Sequence, residues 1–286
     1  MGWIINYTKL VKFEHTLFAL PFALIGFFIA VEQPDNQLSW KLLALVILCM
    51  VFARNSAMGF NRYLDRRFDI LNPRTARREI PAGIISPVAA LIFVVVNASL
   101  FITTTWFINK LCFFLSPVAL FVILFYSYTK RITSLCHFVL SLGLAIAPVG
   151  AYLAVSTHFD WLPVLLGTIV FFWVSGFDII YALQDEDFDK EMRLKSIPAL
   201  IGKKNALRIS EYLHLLTACL VFFLSFLLKG NIFIYSGAII FSGLLLYQHL
   251  IIKYDDLSRV NLAFFTTNGI ASLLFAIFLI TGLLVN

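Results

Sequence analysis

The chain has 286 residues, 60% of them hydrophobic and 13% charged, with a formal net charge of +6 and a mean hydropathy of +0.90. A soluble domain carries roughly 45–50% apolar and about 25% charged residues because its surface must be wetted, so these figures exclude an ordinary soluble protein. They also exclude a disordered chain, which needs low hydrophobicity, and four cysteines are too few for a disulfide-stapled secreted module.

The class that remains is an all-α integral membrane protein. Crossing a hydrocarbon layer of about 30 Å takes about 20 mainly apolar residues in a helix, which satisfies its own backbone in lipid. Continuous apolar runs predict spans near 15–31, 40–60, 88–108, 112–129, 134–155, 161–181, 206–228, 232–252 and 261–283. These nine transmembrane helices around a central cavity form one polytopic domain over 1–286, with charged cytoplasmic loops at about 61–87 and 182–205. The connections at Asn109-Lys110, Thr157–Asp160 and Lys229-Gly230 read as tight turns. The opening stretch MGWIINYTKLVKFEHT lacks a small-residue cleavage site, so the first span is expected to be retained.

Lysine and arginine set the orientation. The N-terminal segment, Arg54 and the loops after spans two, four, six and eight hold 19 of the 22 cations. The opposite side keeps Lys41, Lys110 and Lys229. The N-terminus and both charged loops are therefore expected in the cytoplasm and the C-terminus outside, which suits a bacterial plasma membrane. The cations adjoin apolar spans and alternate with carboxylates, so they read as membrane-surface charge and not as a nucleic-acid footprint.

Charge is concentrated in two places. Residues 61 to 79 hold nine charged side chains and residues 185 to 195 hold eight. In the first segment Asn61, Asp65 and Asp69 recur every four positions and drift only about 40° per step on a helix, with Arg54 on the same stripe. In the second, Asp178, Tyr181, Asp185 and Asp189 stand at offsets of three, seven and eleven and predict a similar ladder. Asp185 and Asp189 follow Asp65 and Asp69 by 120 residues with four helices between, so both pairs are expected on one membrane face, directed at one cavity. Crowded carboxylates repel unless protonated or neutralised. Divalent metal between them resolves this, since Mg2+ takes one or two carboxylates and completes its shell with water and phosphate oxygens. An acidic site ringed by Arg and Lys points to a phosphate or diphosphate substrate held by metal and cations together, with apolar helices to hold its hydrocarbon tail.

These residues resemble the UbiA-type intramembrane prenyltransferases, whose signatures are Asn-x-x-x-Asp-x-x-x-Asp and a second Asp-x-x-x-Asp. The surrounding matches are Arg74-Thr75, Arg78-Glu-Ile-Pro81-Ala-Gly83, Tyr126-x-Tyr128-x-Lys130-Arg131, Asp178-x-x-Tyr181-Ala-x-Gln184 and Lys195-Ser196-Ile-Pro198. The resemblance implies Mg2+-dependent transfer from a polyprenyl diphosphate to a small aromatic acid in quinone biosynthesis, within the lipid bilayer. It implies that Asp65, Asp69, Asp185 and Asp189 are the catalytic metal ligands. Asn61, Arg54, Arg66, Arg78, Lys130 and Lys195 would bind the diphosphate, and Asp178, Tyr181 and Tyr126 would line the cavity or meet the acceptor. Arg62 stands where many relatives carry aspartate. Together with Phe13-Glu14-His15-Thr16 and Asn72-Pro-Arg-Thr it resembles the branch tied to menaquinone made through futalosine, so the acceptor is 4-hydroxybenzoate or a related aromatic carboxylate, with a naphthoate as the alternative. A polytopic transporter using membrane carboxylates is the reading from another class; its acids would sit near the bilayer midplane.

The five histidines are scattered without metal spacing and are given no role, apart from His15 beside Glu14. The four cysteines read as packing residues. Asn268 reads either as a cavity donor or as helix-to-helix glue.

Overall fold

The computed structural model describes residues 2–11 and 16–285, and the side chains of 6–11 and 18–285. The Glu14–His15 pair lies outside the described residues. Among those described the chain is helical throughout, with no strand. Eight helices are long and apolar enough to cross a membrane, and a ninth apolar stretch, Phe18–Val31, is shorter. The chain is an integral membrane protein. It divides into two compact units, one of residues 1–16 and 40–128, the other of residues 17–39 and 129–286.

In the first unit, α1 (Gly2–Leu10) precedes α3 (Trp40–Leu71), α4 (Pro87–Trp106) and most of α5 (Lys110–Ile132). At 1.5 Å per residue the 32-residue α3 is about 48 Å long, beyond the hydrocarbon thickness. Its polar end therefore continues as helix where the hydropathy pattern predicted a loop from 61 onward. Gly59 lets α4 approach closely, since a Cβ there would lie 2.9 Å from the Val94 side chain. An Asn55 amide donates to Asn97 Oδ1 at 3.0 Å, tying α3 to α4. The N-terminal helix is seated by Leu10, which is buried with Ile80, Ile85 and Ala90.

In the second unit, α2 (Thr16–Val31), α6 (Cys136–Ser156), α7 (Trp161–Ala182), α10 (Lys203–Leu227), α11 (Ile232–Ile251) and α12 (Asn268–Val285) share one core. Among the eight long helices α7 is the most buried, because nearly every residue from Leu166 to Ala182 is apolar or small. The Trp173 ring sits 5.0 Å from Phe22 and 5.7 Å from Phe241, and its indole N–H donates to Asn268 Oδ1 at 2.9 Å. Gln248 donates to the same oxygen at 2.6 Å. Asn268 thus glues three helices, and the backbone just before it, Leu262–Thr267, widens into a π-helical turn. Gly176 leaves room for the His214 ring against α7.

Candidate active site

The first carboxylate motif lies wholly on α3, so the periodicity argument holds there without interruption. Asn61 donates to Asp65 Oδ2 at 2.9 Å. Asp69 is buried, with one oxygen 2.6 Å from the Arg78 guanidinium. Local sequence closes this pair. After Leu71 the Asn72 side chain accepts from the Arg74 amide at 3.0 Å, and the Thr75 hydroxyl donates back to the Asp69 carbonyl at 3.1 Å. These bonds stop the helix and fold residues 72–78 back so that Arg78 meets Asp69. Gly83, at φ +72°, supplies the left-handed turn before Ser86 caps α4.

A cleft of about 230 Å3 beside this motif is lined by Lys9, Arg62, Arg74, Arg77, Arg78 and Glu79. Five cations against one acid make it an anion-attracting surface. Arg62, next to Asn61, is buried and contributes its positive charge to this cleft. Arg54 reaches the Val11 carbonyl at 3.5 Å. Arg66 is turned onto its own helix: it donates to the Tyr63 carbonyl at 2.6 Å and lies over the Tyr63 ring. Tyr126 belongs to the same unit as Arg54, on α5.

The second motif is built differently. Helix α7 ends at Ala182, Leu183–Asp185 forms a 3-10 turn, and α8 (Glu186–Glu191) comes next. Three residues at about 120° instead of about 100° each rotate the downstream helix by about 60°. The stripe expected through Asp178, Tyr181, Asp185 and Asp189 is therefore twisted after Ala182 and is not carried on one uninterrupted α-helix. Glu186, itself buried, is held by Lys190 and by Lys203.

Asp189 is fully buried. Its Oδ1 lies 2.7 Å from Lys130 Nζ, and its Oδ2 accepts from the Ser196 hydroxyl at 2.8 Å. Lys195 donates from Nζ to the Ile132 carbonyl at 2.9 Å and from its backbone amide to the Lys130 carbonyl at 2.7 Å. Asp178 is joined to His137, with Nδ1 2.6 Å from Oδ2, and Tyr181 stacks on Phe264 at 4.2 Å. Sequence reasoning gave neither His137 nor Ser196 a role. Ser196 follows Lys195 in a quoted motif, whereas His137 carries no local signal, its partners being 41 and 60 residues away.

Among the described residues no three His, Cys, Asp or Glu side chains converge into a ready-made metal cage. Mg2+ does not require one, since one or two carboxylates with water and substrate phosphate suffice. The donors present fit that ion. They are hard oxygens, and Asp69 Oδ2 is buried with no hydrogen-bond partner among the described residues, a lone-pair site that a cation would satisfy.

The UbiA prenyltransferase family model matches residues 19–284. A 4-hydroxybenzoate octaprenyltransferase of Tolumonas auensis is 30% identical over 241 residues, covering 83% of each chain. The enzyme of the same description from Aliivibrio fischeri strain MJ11 is 32% identical over 243 residues, covering 84% of each. Among solved structures, the apo form of a UbiA homolog from Aeropyrum pernix K1 superposes with a TM-score of 0.81 at 27% identity, over 95% of this chain and 98% of that one. A UbiA homolog from Archaeoglobus fulgidus bound to DMAPP and Mg2+ gives a TM-score of 0.75 at 22% identity, over 98% and 100%, a likeness of fold.

Proposed function

The chain belongs to the UbiA prenyltransferase family, and on that premise we propose that it transfers a polyprenyl group from polyprenyl diphosphate to 4-hydroxybenzoate, as the relatives' names describe for those enzymes. The observation that carries this is the presence of two Asp-x-x-x-Asp motifs, each with its second carboxylate buried and matched to a cation. Family membership sets aside the transporter reading.

In this reading Asp65 and Asp69, and Asp185 and Asp189, hold Mg2+ on the diphosphate, with Asn61 orienting Asp65. Mg2+ held there would supply Lewis-acid stabilisation of the charge on the departing diphosphate. The chain's own cations do the rest. Arg78 and Lys130 hold the inner carboxylates in place, and Arg62, Arg74 and Arg77 supply a positive surface for the leaving diphosphate. The allylic carbon becomes cation-like, the aromatic ring attacks it, and the ring proton is lost. Arg54, half-buried on α3, is assigned to an anionic substrate group. Arg66 and Lys195, turned onto backbone carbonyls, serve the diphosphate only after their side chains swing away. Asp178, Tyr181 and Tyr126 are proposed to line the acceptor side. The reaction belongs to the plasma membrane, with both motifs on the cytoplasmic side.

The test is a panel of 4-hydroxybenzoate, related aromatic acids and a naphthoate, given to membranes with Mg2+ and a prenyl diphosphate. Carbon-prenylated 4-hydroxybenzoate with stoichiometric diphosphate release is the expected result. Turnover of the naphthoate alone would move the enzyme to menaquinone synthesis, and no ring prenylation with any acceptor would sink the proposal.

A further inference from the structure

Four polar bonds in the second unit form a path from the start of α6 to the second carboxylate motif. His137, in the first turn of α6, is 3% exposed, and both its ring nitrogens are engaged. Nδ1 lies 2.6 Å from Asp178 Oδ2, and Nε2 lies 3.3 Å from the backbone nitrogen of Ile197. A backbone N–H can only donate, so Nε2 accepts, and the ring proton sits on Nδ1, where it is donated to the Asp178 carboxylate. Asp178 thereby fixes both the tautomer and the tilt of the ring. The residue next to Ile197 is Ser196, whose hydroxyl donates to Asp189 at 2.8 Å. The neighbouring Cys136 thiol meets the Lys195 carbonyl at 3.5 Å, so two consecutive residues of α6 grip the segment 195–197.

We propose that His137 is a positioning residue for the second carboxylate motif: anchored by Asp178, it holds the Ser196–Ile197 turn so that the Ser196 hydroxyl orients the buried Asp189 carboxylate. The inference rests on the reading of Asp189 as a ligand of the metal and diphosphate. Its physical basis is economy of lone pairs. Asp189 gives one oxygen to Lys130 and the other to Ser196, and the lone pairs left for a cation point where those two bonds direct them. Letting the turn drift rotates the carboxylate away from that direction. Partners that orient ligand carboxylates typically change metal affinity by about 10–100-fold when removed.

The two amide replacements separate the routes. His137→Gln carries an oxygen to the place of Nε2 and can still accept from Ile197, whereas His137→Asn places an amide near Nδ1 and reaches only Asp178. Two measurements apply: the Mg2+ concentration for half-maximal diphosphate release, and the rise in melting temperature of the detergent-purified protein when Mg2+ and inorganic diphosphate are added. His137→Ala and His137→Asn are expected to raise the half-activating Mg2+ concentration about tenfold, to leave kcat at saturating Mg2+ within about threefold, and to lose most of the Mg2+–diphosphate melting shift. His137→Gln is expected to restore both.

Ser196→Ala gives a second, smaller perturbation in case the histidine variants fold poorly. It should reproduce the Mg2+ effect, and adding His137→Ala should worsen it little, because both act through one bond. If His137→Ala lowers the baseline melting temperature yet keeps the Mg2+–diphosphate shift and the normal Mg2+ dependence, the residue is only a structural pin and the proposal is wrong. The same holds if His137→Asn rescues and His137→Gln does not. A wild-type protein that turns over without Mg2+ and shows no shift overturns the reading of Asp189 itself, a result seen before any variant is made.

Discussion

The two carboxylate motifs share a ligand pattern and differ in how it is built. In the first, Asn61, Asp65 and Asp69 sit on one unbroken helix, and the bonds that fix them, from Arg78, Thr75 and Asn72, come from the next nine residues. In the second, the helix breaks between Asp178 and Asp189, and Asp189 is held by Lys130 from the end of α5 and by Ser196 beyond α8. One motif is set by local sequence, the other by tertiary structure. The lesson is that equal spacing in sequence does not mean equal sensitivity: the first should tolerate perturbation elsewhere, and the second should register it.

The comparison breaks first at the chemistry. Asp65→Ala and Asp185→Ala should each lower diphosphate release at saturating Mg2+ by about 10^2–10^3-fold, the usual scale for removing one group that stabilises transition-state charge. If either variant keeps its rate, that motif does not hold the metal. Removing Mg2+ with a chelator should stop turnover, and adding it back should restore it.

Stability sharpens the contrast. Asp189→Ala removes a fully buried carboxylate with two partners, Lys130, whose side chain is 35% exposed, and the Ser196 hydroxyl, and is expected to destabilise by about 2–3 kcal/mol after solvent screening. Asp69→Ala leaves an Arg78 whose side chain is 20% exposed and already near water, so about 1–2 kcal/mol is expected after solvent screening. Chemical denaturation in detergent reads both, and equal losses would remove the distinction between a tertiary and a local motif.

A smaller effect comes from the hydroxyl partners. Ser196→Ala deletes the bond to Asp189 and the one its oxygen accepts from the Ala199 amide, and Thr75→Val deletes the bond to the Asp69 carbonyl and a longer one to that of Asn72, at about 0.5–1.5 kcal/mol per bond. Only the former is expected to alter Mg2+ dependence, since Thr75 binds the Asp69 carbonyl and not its carboxylate. The smallest change is expected for Asn61→Ala. It removes one hydrogen bond from Asp65, so the KM for the prenyl diphosphate should rise a few-fold while the melting temperature stays near that of the wild type.

Much of this molecule is legible in its sequence, and the exceptions are instructive. Predicted spans such as 88–108 and 232–252 fall within two residues of α4 and α11 at either end, because hydropathy is summed over neighbours and lipid leaves the helix few alternatives. The first motif is legible for the same reason. Helix α3 is cut short at residue 60 by the hydropathy pattern because an apolar window registers the membrane and not the helix, which runs on to Leu71 in polar surroundings. The 3-10 turn at Leu183–Asp185 and the π-helical turn at Leu262–Thr267 carry no compositional mark. His137 looks like one of five scattered histidines because its partners lie in other helices.

By itself the sequence determined the solvent, the helices, the family and the two carboxylate motifs, since hydropathy and i, i+4 spacing are properties of consecutive residues. Tertiary structure alone decided that Lys130 faces Asp189, that Lys195 lies on the Ile132 carbonyl, and that His137 joins Asp178 to the turn beside Asp189. Those pairings depend on burial. In a low-dielectric interior a charge or a ring nitrogen must find a partner wherever the fold supplies one, and distance along the chain carries no information about where that is.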